Sequence, residues 1–473
     1  MGKLVENLYK RYHIENIPVD DIRNWPNRFR VHVGKIGLLK LLVKELFHTR
    51  GNREVMLSRP CMYGVFSGPL GGFMPRPEHC VGCLRCMTEY PEFVQITHNT
   101  ERQKLGDSFF HFGYINAISY ESQTGLVPVK GAGYRGKFGG QGWDGMWTDM
   151  SEIVRPTRDG IHGREFISTL IDIGYKPNFL SFDENGEPIG ALPSTFNIPV
   201  PILFDVPPNV DKTDELLTIL AKTAKEIDSI AIIPLKKVIE LGLEGRHVVP
   251  LVGPEDIEAM KMLSYCPNMI EMHGWDEEVF RFTQKQFPSS MVCLRTIFPE
   301  GDELMSYVSH GVHIFHLTAN FHGRGEDGTF VIDLIRSAHE SFVNAGIREE
   351  VSLIGSGGIV AAEHIPKAII CGLDAVAINT PAVVALQGDF SGECIDENTC
   401  MFTLPKDLDI MWGIQRLKNM VAAWRDQMIE VLGAMGLREV RRLRGEMGRA
   451  MFMVDLEADA FSDIEGYEYG ISE

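Results

Sequence analysis

From residue 198 onward, short apolar runs alternate with stretches of helical periodicity. The runs are Val200–Val206, Ser229–Leu235, His247–Val252, Met269–His273, Met291–Ile297, Val312–Thr318, Val351–Gly355 and Ala375–Thr380. Between them lie helix candidates such as Lys212–Glu226, Pro254–Ser264 and Val331–Ala345. Strands that alternate with helices pair in parallel through right-handed crossovers. A doubly wound open sheet gives the same local pattern. The count of eight favours an α/β fold of the closed (β/α)8 TIM-barrel type, with a compact unit of about 20 residues.

The rest of the chain reads differently. Residues 1–55 are predicted as a helical segment. Within it, Val33–Phe47 places apolar residues at helical spacing, with Lys35, Lys40 and Lys44 interleaved. A basic amphipathic helix lies on a membrane surface or packs on its own chain or a partner subunit. Packing is the commoner case. Residues 56–150 are rich in Gly, Pro and aromatics and have little periodicity, so a small irregular domain there needs a support such as a metal cluster. The seven glycines of residues 131–147 do not form a phosphate loop, because no strand leads in and no helix follows. They are read as an extended crossing. Residues 151–197 connect into the barrel, with a hairpin tip at 183–190. The barrel occupies 198–400. Residues 401–473 are predicted as C-terminal helices (Asp407–Met435, then a basic one at Leu437–Ala450) and an acidic tail, Asp455–Glu473.

Charge and composition narrow the function. The 473 residues carry a net charge of −18, with 44% hydrophobic and 23% charged residues. That balance suits a globular protein and argues against a nucleic-acid partner, which needs a basic face. No apolar run reaches the roughly 18 residues that span a bilayer. The first residues lack the apolar core of a secretory signal, so a cytoplasmic location is expected. In such a chain the clustering among nine cysteines points to metal or redox chemistry, not to disulfides. Cys266, Cys293 and Cys371 stand singly among apolar residues and read as buried small side chains.

Cys80, Cys83 and Cys86 form a C-x2-C-x2-C run followed by Tyr90-Pro91. Bacterial ferredoxins continue this run to a fourth cysteine and a proline. Here the proline is kept and Tyr90 stands in the cysteine's place, which fits one cluster and not two. The fourth ligand is Cys61, giving a 4Fe-4S site, or is absent, as in a 3Fe-4S cluster. Structural zinc is the alternative.

The seventh apolar run ends in Gly355-Ser356-Gly357-Gly358, and the eighth in Asn379-Thr380 before Pro381. Barrels often hold a phosphate between the loops after strands seven and eight, where glycines let backbone N–H groups approach the anion. A tight turn without a ligand would use the same glycines. Asp205, His273, Arg295, His316 and His322 fall at predicted strand ends, and that end is a barrel's active face.

Three stretches resemble the archaeal-type glutamate synthases. They are Val154–Glu165, with Arg155-Pro156-Thr157-Arg158-Asp159-Gly160; Gly355–Leu386; and the closing helical segment around Gly436–Gly445. The likeness covers roughly residues 150–455 and is accompanied by a cysteine-rich segment ahead of the barrel. It implies an oxidoreductase with FMN in the barrel, an iron–sulfur cluster beside it, and reductive transfer of ammonia onto 2-oxoglutarate. It also implies an electron-donor reductase subunit and a glutaminase as partners in a hetero-oligomer. On this resemblance Gly355, Ser356, Gly357, Gly358, Asn379 and Thr380 would meet the FMN phosphate. Arg295 would face the flavin ring, and His316 and His322 join it as catalytic candidates. Cys394 and Cys400 correspond in position to the family's three-iron cluster. The chain departs from the family in its first strand, Pro201–Pro208, in the loop Asn320–Gly328, and in lacking a third cysteine after Cys400. The alternative is an electron-relay or scaffold subunit whose barrel has lost FMN.

Overall fold

A computed structural model describes residues 12–48, 50, 52, 61–128, 142–148, 166–190, 192–390 and 392–464. Most of the glycine-rich run (131–141), the segment Val154–Glu165 and the last residues of the acidic tail lie outside that description. The chain divides into two compact units. One holds Met1–Ile22, Asn116–Val127 and Gly139–Glu473; the other holds Arg23–Ile115 and Pro128–Phe138.

The larger unit is built on a closed, wholly parallel eight-stranded barrel. In chain order its strands are Ile202–Phe204, Ala231–Pro234, Val248–Val252, Met269–His273, Met291–Ile297, Ile314–Thr318, Ser352–Ser356 and Ala375–Ile378. The eighth closes on the first, with Ala377 opposite Leu203. Each predicted run therefore contains or nearly matches one strand. The first strand is buried on both faces, because Ile202 and its neighbours meet either the barrel interior or the surrounding helices. Helix Thr213–Glu226 buries Leu216, Leu217, Leu220 and Ala224 on one stripe. Each such leucine contributes roughly 1.5–3 kcal/mol relative to exposure. Asp276 caps helix Glu277–Gln286 by accepting from the Val279 N–H.

One C-terminal helix, Ile410–Ala434, closes the unit. It crosses Thr213–Glu226 at Gly413, where an added Cβ would come 2.6 Å from Ile219. The buried Arg416 of this helix pairs with Asp21 at 2.6 Å and donates to the Ala385 carbonyl. Trp424 donates to Glu121 at 2.7 Å. The basic helix expected at Leu437–Ala450 is instead two single 3-10 turns, Val440–Arg442 and Met447–Arg449. Gly436 and Gly445 adopt φ of +73° and +71° and break it. Residues 453–461 form a helix where a tail was expected. Residues 183–190 do turn a hairpin, with Ser181–Phe182 pairing Pro188–Ile189.

In the smaller unit the expected helical opening contains a strand. Phe29–Val33 pairs antiparallel with Val94–His98, and helix Lys35–His48 follows. The alternation Phe29, Val31, Val33 puts apolar residues on one sheet face, where they join a core of Val65, Phe66, Cys86, Val94 and Ile96. Among the single cysteines, Cys293 and Cys371 are buried, but Cys266 is exposed. It sits in the turn before the fourth barrel strand, with its sulfur 3.3 Å from Ser290 Oγ.

Candidate functional site

The four cysteines of the smaller unit line one small cavity, together with Val65, Phe66, Leu84 and Ile96. The loop winds around it because Gly82 and Leu84 both adopt left-handed backbone, φ +74° and +58°. At Gly82 a Cβ would come 2.3 Å from the Phe29 ring, so only glycine fits there. Cys86 is buried and Cys61, Cys80 and Cys83 are partly buried. Burial first, and then the neighbouring sulfurs, push the Cys86 thiol up to about 11. Cys80 is raised for the same reasons. Among the described residues, the four do not form a group whose ligand atoms all lie within 4.8 Å. Four thiol donors on one cavity are a set that suits an iron–sulfur cluster or a structural zinc.

At the strand ends of the barrel, four side chains form one buried charge network. Arg295 on the fifth strand donates from Nη1 to Asp205 Oδ1 at 2.6 Å and to Glu271 Oε1 at 2.9 Å, and from Nη2 to Asp205 Oδ2 at 3.2 Å. His316, on the sixth strand directly opposite Arg295, places Nδ1 2.9 Å from Glu271 Oε1. Asp205, Glu271 and His316 are all buried. Burial alone would raise both acids, but Arg295 and His316 outweigh it and hold Asp205 and Glu271 below the usual carboxylate range. The same two acids outweigh desolvation of Arg295 and fix its charge. Two buried atoms in this network, Glu271 Oε2 and His316 Nε2, have no hydrogen-bond partner. The structure thus joins three of the five strand-end candidates: Asp205, Arg295 and His316. Glu271 was missed. Its signal was an acid inside the apolar run Met269-Ile270-Glu271-Met272. His273 is exposed at the end of the same strand. His322 lies on the loop after the sixth strand, with Nε2 3.9 Å from Glu393 Oε2.

The loop after the seventh strand is packed backbone to backbone. Gly357 and Gly358 adopt φ of +94° and +69°. A Cβ on Gly357 would come 2.4 Å from the Ala319 carbonyl oxygen, and one on Gly358 2.5 Å from Gly323 Cα. Both glycines are therefore dictated by the neighbouring loop after strand six. Among the described residues, the buried N–H groups of Gly357, Gly358 and Ile359 meet no acceptor. Trp143, from the glycine-rich run, donates from Nε1 to the Gly358 carbonyl at 2.8 Å and stacks on His364, ring centroids 4.8 Å apart. In a trans peptide the N–H opposes the C=O, so this bond turns the Ile359 N–H away from the indole. The helix expected to follow the loop starts only at His364, so backbone amides and not a helix dipole define this site. After strand eight, Asn379 accepts from the Thr380 N–H at 2.6 Å and opens helix Thr380–Ala385, with Pro381 in its first turn.

Cys394 and Cys400 are joined as a disulfide, with Cα atoms 4.3 Å apart. Among the described residues, no helix is long and apolar enough to cross a membrane.

Residues 322–438 match the family model described as the conserved region in glutamate synthase. That span includes His322, the glycine loop, Asn379, Thr380 and the Cys394–Cys400 pair. Over 111 residues the chain is 39% identical to the archaeal glutamate synthase (NADPH) of Methanocaldococcus jannaschii, a stretch amounting to 22% of each protein. A longer alignment, 439 residues at 23% identity, joins it to the archaeal-type glutamate synthase (NADPH) of Dehalococcoides mccartyi and covers 78% of this chain and 86% of that one. Among solved structures, a mandelate oxidase aligns at 13% identity with a TM-score of 0.37, covering 63% of this chain and 97% of that one. The barrel itself rests on the strand pairing above and not on that distant likeness. Residues 322–438 thus resemble the conserved region of glutamate synthase, and the longer alignment makes most of the chain similar to an archaeal-type enzyme.

Proposed function

We propose that this chain is a glutamate-synthase-like oxidoreductase subunit that holds FMN in its barrel and an iron–sulfur cluster on Cys61, Cys80, Cys83 and Cys86. The reaction it serves is reductive amination, in which 2-oxoglutarate, ammonia, two electrons and two protons give glutamate and water. Bound FMN would supply the hydride for this chemistry. The observation that carries the reading is the run of three buried, unpartnered amides at Gly357, Gly358 and Ile359. A buried donor without an acceptor costs about 1–3 kcal/mol. Three in succession on a left-handed glycine turn suit a phosphate. Gly355, Ser356, Asn379 and Thr380 complete the cradle.

The protein's own contribution is binding and orientation. Arg295 is locked between two acids, so it keeps its charge and position. His316 Nε2 is a buried site at which a proton can be held. His322 adds a titratable group on the strand-six loop, beside Glu393. Electrons would reach the chain from a reductase subunit and ammonia from a glutaminase, in a cytoplasmic hetero-oligomer.

A second reading has one specific observation behind it. The first strand ends in Phe204-Asp205, and Asp205 is tied to Arg295, where the family has a run of small residues against the flavin. On that reading the barrel is an FMN-free relay or scaffold. Flavin and iron per chain, measured after purification without oxygen, decide between the two. About one FMN with three or four irons supports the enzyme. Iron without flavin supports the scaffold. A chain with neither overturns both.

A further inference from the structure

The end of the barrel opposite the glycine loop carries a cavity of about 370 Å3. It lies where helix Val331–Asn344 ends, where Arg348–Glu350 lead into the seventh strand, and where the chain returns through Arg444 and Gly445. The buried His339 and Arg348 and the mostly buried Arg444 line it, with the exposed Val343, Asn178 and Glu349 at its edge. Its size falls in the range of about 300–1,000 Å3 that small-molecule sites occupy. The active face of a barrel is the other end, at the strands' C-termini.

His339 Nδ1 accepts from Arg348 Nε at 3.0 Å. A neutral imidazole that accepts at one nitrogen carries its proton on the other, so Nε2–H is a donor. The ring stays neutral near pH 7, because burial first and then Arg348 and Arg444 hold it down to about 4. Among the described residues no acceptor meets Nε2. Nε2 lies at the Gly445 wall of the cavity, where an added Cβ would come 2.7 Å from it and from Cε1. Glycine at 445, with φ +71°, leaves that N–H uncovered. Arg348 also donates to the Val351 and Gly372 carbonyls and to Asp374, and Arg444 donates to Asp374 and Glu349. A guanidinium carries five N–H donors, so both arginines keep donors beyond these bonds. Asp374 is occupied: one oxygen takes Arg348 and the Leu353 N–H, and the other takes Arg444. Two guanidiniums therefore line the cavity against one carboxylate, Glu349, which is 69% exposed. Buried side chains that only donate reject a cation and call for a ligand rich in acceptors.

We propose that this cavity binds a small organic oxyanion, a phosphate ester or a carboxylate, with its head on His339 Nε2, Arg348 and Arg444 and a short apolar body against Val343. The site is independent of the flavin loop and of the cysteine cavity. Calorimetry on the full chain, with ethyl phosphate and butyrate as probes, tests it. At least one probe should bind, and the tighter one identifies the head group. R444M should weaken binding about tenfold or more, the scale of a charge-assisted hydrogen bond. H339L should weaken it about fivefold, and H339Q, which keeps an N–H donor, should restore most of that loss. Arg348 still holds Asp374 in R444M, and circular dichroism checks the fold. If R444M does not fold, R444K takes its place: it keeps the charge but loses the planar fork, and should still weaken binding severalfold. The flavin loop is the competing site for a phosphate ester, and G357D separates the two. Binding that survives G357D supports the cavity, and binding that G357D abolishes while R444M and H339L leave it intact overturns the proposal. Binding indifferent to the Arg444 and His339 variants overturns it as well. So does silence from both probes at about 10 mM, where a millimolar site is mostly filled.

Discussion

Replacing Arg295 by Met tests the buried charge network most directly. The side chain is similar in length but leaves Asp205 and Glu271, 1% and 0% exposed, without the cation between them. Breaking a buried pair by removing one partner typically costs about 3–5 kcal/mol, because a charge stays buried and uncompensated. The pH dependence gives the effect a signature. In the wild type both acids are held below their ordinary values of 3.8 and 4.5. Their contribution is therefore complete above those values and is lost as pH falls through the lowered ones. In R295M, burial dominates and the carboxyls rise above their ordinary values. Protonation then relieves the variant as pH falls from 8 to 5, and the gap to wild type should shrink by up to about 1.4 kcal/mol per pH unit for each acid that titrates. Urea unfolding followed by circular dichroism across that range measures the gap. The triple variant D205N/E271Q/R295M, which removes every charge of the trio, should recover most of the loss. A loss below about 1 kcal/mol at pH 7, with a gap that does not move with pH, would show that the acids are solvated in solution and refute the argument.

Four further outcomes follow from the geometry. W143F keeps the ring on His364 but loses the bond to the Gly358 carbonyl, so FMN affinity should fall about five- to tenfold, the worth of one hydrogen bond near 1 kcal/mol, with iron content unchanged; a flavin titration reads it. G357D puts a charged side chain where even a Cβ lies 2.4 Å from the Ala319 oxygen, and flavin should be absent from the purified protein; full flavin occupancy would remove this loop from the phosphate site. C61S should lower iron per chain and change the electron paramagnetic resonance signal, whereas a wild-type count and signal would leave Cys61 outside the cluster. His339 is held down to about 4 by burial first and then by Arg348 and Arg444. The unfolded chain therefore takes the proton first, and stability falls between pH 6.5 and 4 by up to about 1.4 kcal/mol per unit; H339Q should flatten that slope, and an unaltered slope would locate the titration elsewhere.

The two sites were legible in the sequence to different degrees. The cysteine run is local, because ligands three residues apart reach one centre whatever the rest of the chain does. Only the fold showed that Cys61, nineteen residues before Cys80 in the sequence, lines the same cavity, and that the loop closes through left-handed Gly82 and Leu84. The glycine loop was equally plain as a motif, but its reason was not. Gly357 and Gly358 are required by the Ala319–Gly323 backbone, and the amide orientation is set by Trp143, more than two hundred residues away along the chain. Cys394 and Cys400 come together in the fold, and spacing alone did not say that they would.

The sequence by itself determined a parallel sheet covered by helices on both faces, since apolar runs recur with a strand–helix period and are too hydrophobic to face water on either side. Its eight runs favoured the closed barrel over an open sheet, and the pairing of the eighth strand with the first closed it. It also marked the cysteine segment as a candidate metal site, through thiolate chemistry and spacing. Tertiary structure alone decided which charges neutralise one another. Glu271, Arg295 and His316 come from three different strands and Asp205 directly follows a fourth, and nothing in their local sequence states that barrel closure would bring them within hydrogen-bond reach. It also decided which face of helix Lys35–His48 is bare, because a helix with apolar residues on more than one side shows its exposed stripe only once the other has packed against Gly72 and Phe93.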